Sequence, residues 1–119
     1  MKRVLILAAL MALPAALAHA AGDAAHGQEL YESRCIACHS PDANRVGPMH
    51  RGVFGRKAGS LPDYTYSKAL KGTNFVWNDE TLNQWLTNPQ AFVPGQKMNF
   101  KVAKAEDRTD LIAYLKILQ

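Results

Sequence analysis

Cys35-Ile36-Ala37-Cys38-His39 constrains this chain more than any other segment. Its C-x-x-C-H pattern is the attachment signature of a c-type haem. Two thiols about one helical turn apart can each add across a vinyl group of the porphyrin. The adjoining histidine is then directed at the iron. The chain has 2 cysteines, so this motif takes both. Other readings of the pattern are half of a zinc site and a redox dithiol. No second cysteine pair or H-x3-5-H run completes a tetrahedral zinc set. No βαβ pattern supplies the setting of a dithiol oxidoreductase. A plain disulfide over two intervening residues closes a very small loop and stabilises little.

The compartment follows from the first twenty residues. Lys2 and Arg3 precede an apolar run from Val4 to Leu17, and Ala18-His19-Ala20 fits a small-x-small cleavage site. Residues 1–20 therefore read as a secretory signal peptide, cleaved on export. The apolar run is shorter than the ~20 residues of a spanning helix. The remaining domain, residues 21–119, has 99 residues, which is one small domain. Of the chain's 14 basic side chains two lie in the leader, so the mature balance is 12 basic against 10 acidic. That near-neutral balance, with no basic stripe interleaved with aromatics, gives nucleic-acid binding no support. A domain this small buries a modest share of its surface. A large apolar cofactor would supply the missing core.

The spacing predicts an all-α fold. Asp23 caps a helix over Ala24–Arg34, in which Gly27, Leu30, Tyr31 and Arg34 share a face. Gly27 inside a helix costs about 1 kcal/mol against alanine, which a close helix crossing would explain. The expected partner is Glu106 to Leu118, with Leu111, Tyr114, Leu115 and Leu118 at helical spacing. A third helix starts at the Asn78 cap, buries Leu82, Trp85 and Leu86, and is stopped by Pro89. A short helical turn is expected around Ser67 to Lys71. The rest is turn-rich, and loops this long in a small domain need something to wrap around.

His39 fills one axial position, and the residue filling the other decides the chemistry. His26 lies on the helix before the motif, and Met49 and His50 follow it too closely to cross the ring. Met98, 59 residues beyond His39, can reach the opposite face. A histidine–methionine pair closes the iron and favours Fe(II). That is electron transfer, not oxygen or peroxide chemistry. Leu82, Trp85, Leu86, Phe100 and Leu115 are the expected apolar wall.

Several stretches beyond the motif carry a resemblance: Arg45-Val46-Gly47-Pro48, Gly52-Val53-Phe54-Gly55-Arg56-Lys57-Ala58-Gly59, Tyr64-Thr65-Tyr66-Ser67, Trp77, Asn88-Pro89, Pro94-Gly95-Gln96-Lys97-Met98 and Arg108 to Leu115. Together they resemble class I c-type cytochromes of the mitochondrial and α-proteobacterial type, over nearly the whole mature chain. The resemblance implies one covalent haem c, terminal helices that cross, and loops wrapped round the cofactor. It implies that Pro48 accepts the ring proton of His39 and that Arg56, Tyr66 and Trp77 surround the propionates. Trp85 takes the place of the tyrosine near the methionine sulfur, Gln96 that of a threonine, and Leu70 that of an asparagine. Arg34 and Lys97 match positive positions at the haem edge, whereas Gln90 and Ala91 replace lysines.

The function implied is a periplasmic electron carrier, monomeric and not itself an enzyme. Its partners would be a quinol:cytochrome c reductase, a terminal oxidase or reductase, or a periplasmic dehydrogenase. The alternatives are a dedicated electron-accepting subunit of such a dehydrogenase and a haem peroxidase with a labile Met98.

Overall fold

Asp23 begins the first helix: its carboxylate accepts the amides of Ala25 and His26 at 3.0 and 3.1 Å. The computed structural model describes residues 21–119, and the expected leader and its cleavage site lie outside them. Five helices follow in order: α1 (Ala24–Arg34), α2 (Lys68–Lys71), α3 (Asp79–Thr87), α4 (Pro89–Phe92) and α5 (Ala105–Ile117). Ser67 caps α2. Asn78 and Thr81 cap α3 reciprocally, each side chain accepting the other's backbone amide. Among the described residues, β-structure is confined to one bridge, between Lys57 and Val76.

Two element ends differ from the sequence reading. Pro89 does not only stop α3; it is the first residue of α4. A proline lacks the N–H that a first helical position would leave unused. Asn88, extended at φ −162°, ends α3 and caps α4 through its side chain on Ala91 N–H. Helix α5 starts and ends one residue earlier than the amphipathic run, with Leu118 as its C-cap.

Helices α1 and α5 cross at Gly27. A Cβ built there would lie 1.9 Å from the Asp110 carbonyl oxygen and 3.0 Å from Tyr114 Cβ. The glycine thus permits a backbone-to-backbone approach that no side chain would allow. Above it the Tyr31 and Tyr114 rings meet at 5.3 Å, and Leu30, Leu111 and Leu115 are buried. Arg34 pairs with Asp107 at 3.0 Å, so the expected docking charge of Arg34 is partly spent within the fold. Backbone bonds tie the loops to one another and to helix ends: Gly52 N–H to Leu118 O at the end of α5, Gly55 N–H to Trp77 O between loops, and Val102 N–H to Leu86 O on α3.

His26 adds a second tie across the crossing. Its Nδ1 lies 2.7 Å from Asp110 Oδ2, while Asp110 Oδ1 accepts the Asp23 amide at 2.7 Å. The hydrogen bond to Asp110 raises the imidazole above its ordinary 6.5, and the same bond lowers the Asp110 carboxyl below 3.8. A raised histidine stabilises fully below its unfolded value and loses that contribution as pH rises through its folded value. The lowered carboxylate contributes above its unfolded value and is lost in acid. The pair therefore holds best between these two limits. Thermal unfolding of His26→Ala should fall short of the native protein most between the ordinary values of the two groups, 3.8 and 6.5, with the gap narrowing as pH rises through the raised value of the folded histidine. A gap independent of pH would show that the ion pair contributes nothing.

Candidate functional site

Between the α1–α5 crossing, the loop after α1 and the segment before α5 lies a cavity of about 500 Å³. That is the size range of cofactor sites. Cys35, Cys38, His39 and Met98 all border it. So do the five apolar residues expected as its wall, Leu82, Trp85, Leu86, Phe100 and Leu115.

The motif itself forms a turn at the end of α1. Cys38 and His39 N–H both bond back to Cys35 O, at 3.2 and 2.9 Å. Burial pushes the Cys35 thiol up to about 11. A redox-active dithiol needs a low-pKa thiolate, so this environment argues against the dithiol reading.

His39 is fixed from three directions. Its Nδ1 lies 2.9 Å from the Pro48 carbonyl oxygen. A carbonyl can only accept, so Nδ1 carries the proton and Nε2 keeps its lone pair. Burial keeps the ring neutral by lowering its pKa, against the opposing pull of Pro48. A Cβ on Gly47 would lie 2.1 to 2.6 Å from Cε1, Nδ1 and Nε2, so this glycine lies flat against the ring. The His50 ring stacks on it at 3.9 Å and 19°. Two groups cannot share one face at such distances, so His39 lies between them. His50 is anchored in turn by the Tyr31 hydroxyl, 2.9 Å from its Nδ1.

Arg45 reaches over the outside of the turn. Its guanidinium donates to the carbonyls of Ile36, Ala37 and His39. These carbonyls belong to the turn that follows α1, outside its helical hydrogen bonds. Sequence reasoning gave Arg45 no role beyond its place in a motif and read His50 only as a residue that is not the second ligand, without naming its contact with His39. The signal for both was weak: Arg45 stands two positions before Gly47-Pro48 and His50 two after it, and only the fold shows what each meets.

The other expected residues gather as follows. Met98 is half-buried on the core, and Trp85 is buried, meeting Trp77 edge-on at 5.3 Å. Leu70 is buried and borders the cavity. Arg56, Tyr66 and Trp77 border it too. Arg56 donates to Met49 O at 2.8 Å, and the Tyr66 hydroxyl accepts the Leu61 amide at 3.2 Å. His26 stands away from the cavity, on Asp110.

These residues fit a covalently held haem. The cavity is mostly apolar in its lining, two thiols and one lone-pair nitrogen stand at its border, and a thioether stands there as the second soft donor. A family model described as cytochrome c matches residues 24–119. A cytochrome c of Euglena viridis is 50% identical over 101 residues, covering 82% of this chain and 99% of that protein. One from Arabidopsis thaliana is 44% identical over 98 residues, covering 79% and 88%. The solved structure of cytochrome cH from Methylobacterium extorquens superposes with a TM-score of 0.76 at 43% identity, covering 80% of this chain and 98% of that one.

Proposed function

This chain belongs to the cytochrome c family, a haem electron carrier with one covalently attached haem c, and we propose on that premise that it works in the periplasm as a soluble shuttle. The bound haem supplies a one-electron Fe(III)/Fe(II) couple. Cys35 and Cys38 would hold it by thioethers, and His39 Nε2 and the Met98 sulfur would ligate its iron. The observation that carries this reading is that all four residues border one cavity, with the His39 proton committed to Pro48. With both ligands supplied by the chain, the iron would have no open site for peroxide.

The remaining residues set the environment of that couple. Pro48 orients His39 and keeps it basic at Nε2. Gly47 and His50 restrict the ring's rotation, so ligand geometry changes little with oxidation state. Trp85, Leu82 and Leu86 give the cavity an apolar wall that would keep water from the bound haem, and Arg56, Tyr66 and Trp77 would surround its propionates. The donor would be a quinol-oxidising complex or a periplasmic dehydrogenase, and the acceptor a terminal oxidase or reductase. Export rests on the leader at residues 1–20, and mature protein should begin at Ala21 in the periplasmic fraction.

A redox-titrated visible spectrum of the exported protein tests the reading. The expected result is a low-spin c-type spectrum with the weak far-red band of methionine on ferric iron. A high-spin ferric spectrum with an open axial position would overturn it in favour of peroxidase chemistry.

Leu70 bears on the potential. An apolar residue buried here offers no dipole to the ferric charge. Leu70→Asn adds one, worth about 1 kcal/mol, which is roughly 40 mV for a one-electron couple. The midpoint should fall by about that much in a voltammetric titration; an equal or higher midpoint contradicts the account.

A further inference from the structure

Gln96 is a buried amide in an apolar wall, 6% exposed. An amide placed there without partners would be costly, yet its side-chain oxygen and nitrogen are both bonded, as is the residue's backbone N–H. Its backbone N–H donates to Val93 O at 3.1 Å. Its side-chain oxygen accepts the Met98 amide. Its side-chain nitrogen donates to Gln90 Oε1 at 3.1 Å. The orientation is determined, because the Met98 N–H can only donate and so must face the oxygen. That leaves the NH2 group for Gln90, which must present its own oxygen.

Gln90 belongs to α4, which is fixed by the Asn88 cap and by buried Pro89. The chain Met98–Gln96–Gln90 therefore ties the loop carrying Met98 to a held helix. We propose that Gln96 and Gln90 form a clasp that keeps the Met98 segment closed over the cavity and limits the exchange of Met98 for an outside ligand. The inference rests on the reading of Met98 as an axial ligand. Gln96 and Gln90 are positioning residues in it. Opening the segment breaks the bond to Gln90 or the bond to Met98, and exposes an amide that has lost its partner.

Gln90 is exposed, so the outer bond can be removed without disturbing the core. Three ferric holoproteins, native, Gln90→Ala and Gln90→Glu, would be mixed with imidazole and followed by stopped-flow absorbance. Amide hydrogen exchange at Met98 would be measured on the same proteins. The limiting rate at saturating imidazole reads the opening of the segment. Gln90→Ala should raise it roughly three- to tenfold, the worth of one hydrogen bond, and should speed Met98 exchange by a similar factor. Gln90→Glu keeps an acceptor for the Gln96 amide and should stay near the native rate. Exchange at Leu111, in the helix crossing, should not change, which separates a local clasp from general loosening. Unaltered imidazole rate and unaltered Met98 exchange in Gln90→Ala overturn the clasp. So does equal acceleration at Leu111. If imidazole binds the native protein without a plateau in rate, the ligand reading of Met98 fails, and faster Met98 exchange in Gln90→Ala still supports the clasp.

Discussion

Gly27→Ala should destabilise the protein although it replaces glycine with the best helix former. In an exposed helix the exchange would stabilise by about 1 kcal/mol. Here the new methyl would stand 1.9 Å from the Asp110 carbonyl oxygen and 2.5 Å from its carbon. Both atoms belong to the α5 backbone, so no side-chain rotation relieves the clash. The helices must separate, which loosens Tyr31 on Tyr114 and the buried Leu30 and Leu111. Overpacking of this kind costs about 3 kcal/mol. The net loss of about 2 kcal/mol lowers Tm by roughly 10 °C in a domain of this size. Thermal unfolding of the holoprotein by circular dichroism measures it. An equal or higher Tm would mean that the two helices have slack at their crossing.

The crossing was legible in the sequence for the same reason that it is fragile. A glycine within a helix face that also carries Leu30 and Tyr31 has few explanations, and the amphipathic run at the far end offered the partner. The starts of α1 and α3 were legible as well, because Asp23 and Asn78 are side chains whose chemistry suits a cap, whereas Ser67 was placed within its turn and proves to be its cap. The break at Pro89 was half legible: proline marks an end and a first position equally, and the choice depends on where the chain goes next. The site divided along a different line. The four residues that would touch the haem announced themselves by type and spacing. Of the groups that hold them, Pro48 was named through the resemblance, and the others were not given their contacts. Arg45 acts through carbonyls at short range, but so could any surface arginine. Gln96 stood out only as the replacement of a threonine near the methionine, and its bond to the Met98 amide appears only when that backbone turns toward it. His50 has no periodic pattern at all, and its contact with His39 arises from the path of the loop between them.

Gly47→Ala should have the largest effect on the site, because three constraints meet on one ring. The added methyl would lie 2.1 Å from His39 Cε1 and within 2.6 Å of both ring nitrogens. The ring cannot retreat along its normal, since His50 stacks on the other face at 3.9 Å. It cannot turn in place without giving up Pro48 at 2.9 Å. Displacement therefore breaks the hydrogen bond that fixes the tautomer, or drives His50 off the Tyr31 hydroxyl. Either outcome misaims Nε2, and the ferric protein should become largely high-spin, with a lower midpoint and a poor yield of holoprotein. The loss of stability should be about 3 kcal/mol. A paired variant isolates the cause. His50→Ala removes the far wall and gives the ring room to move away from the new methyl, so Gly47→Ala with His50→Ala should recover part of the low-spin signal. A single variant that stays low-spin would show that the ring has freedom the packing denies it. A double variant no better than the single would place the damage in the Gly47–Pro48 backbone, not in the clamp on the ring.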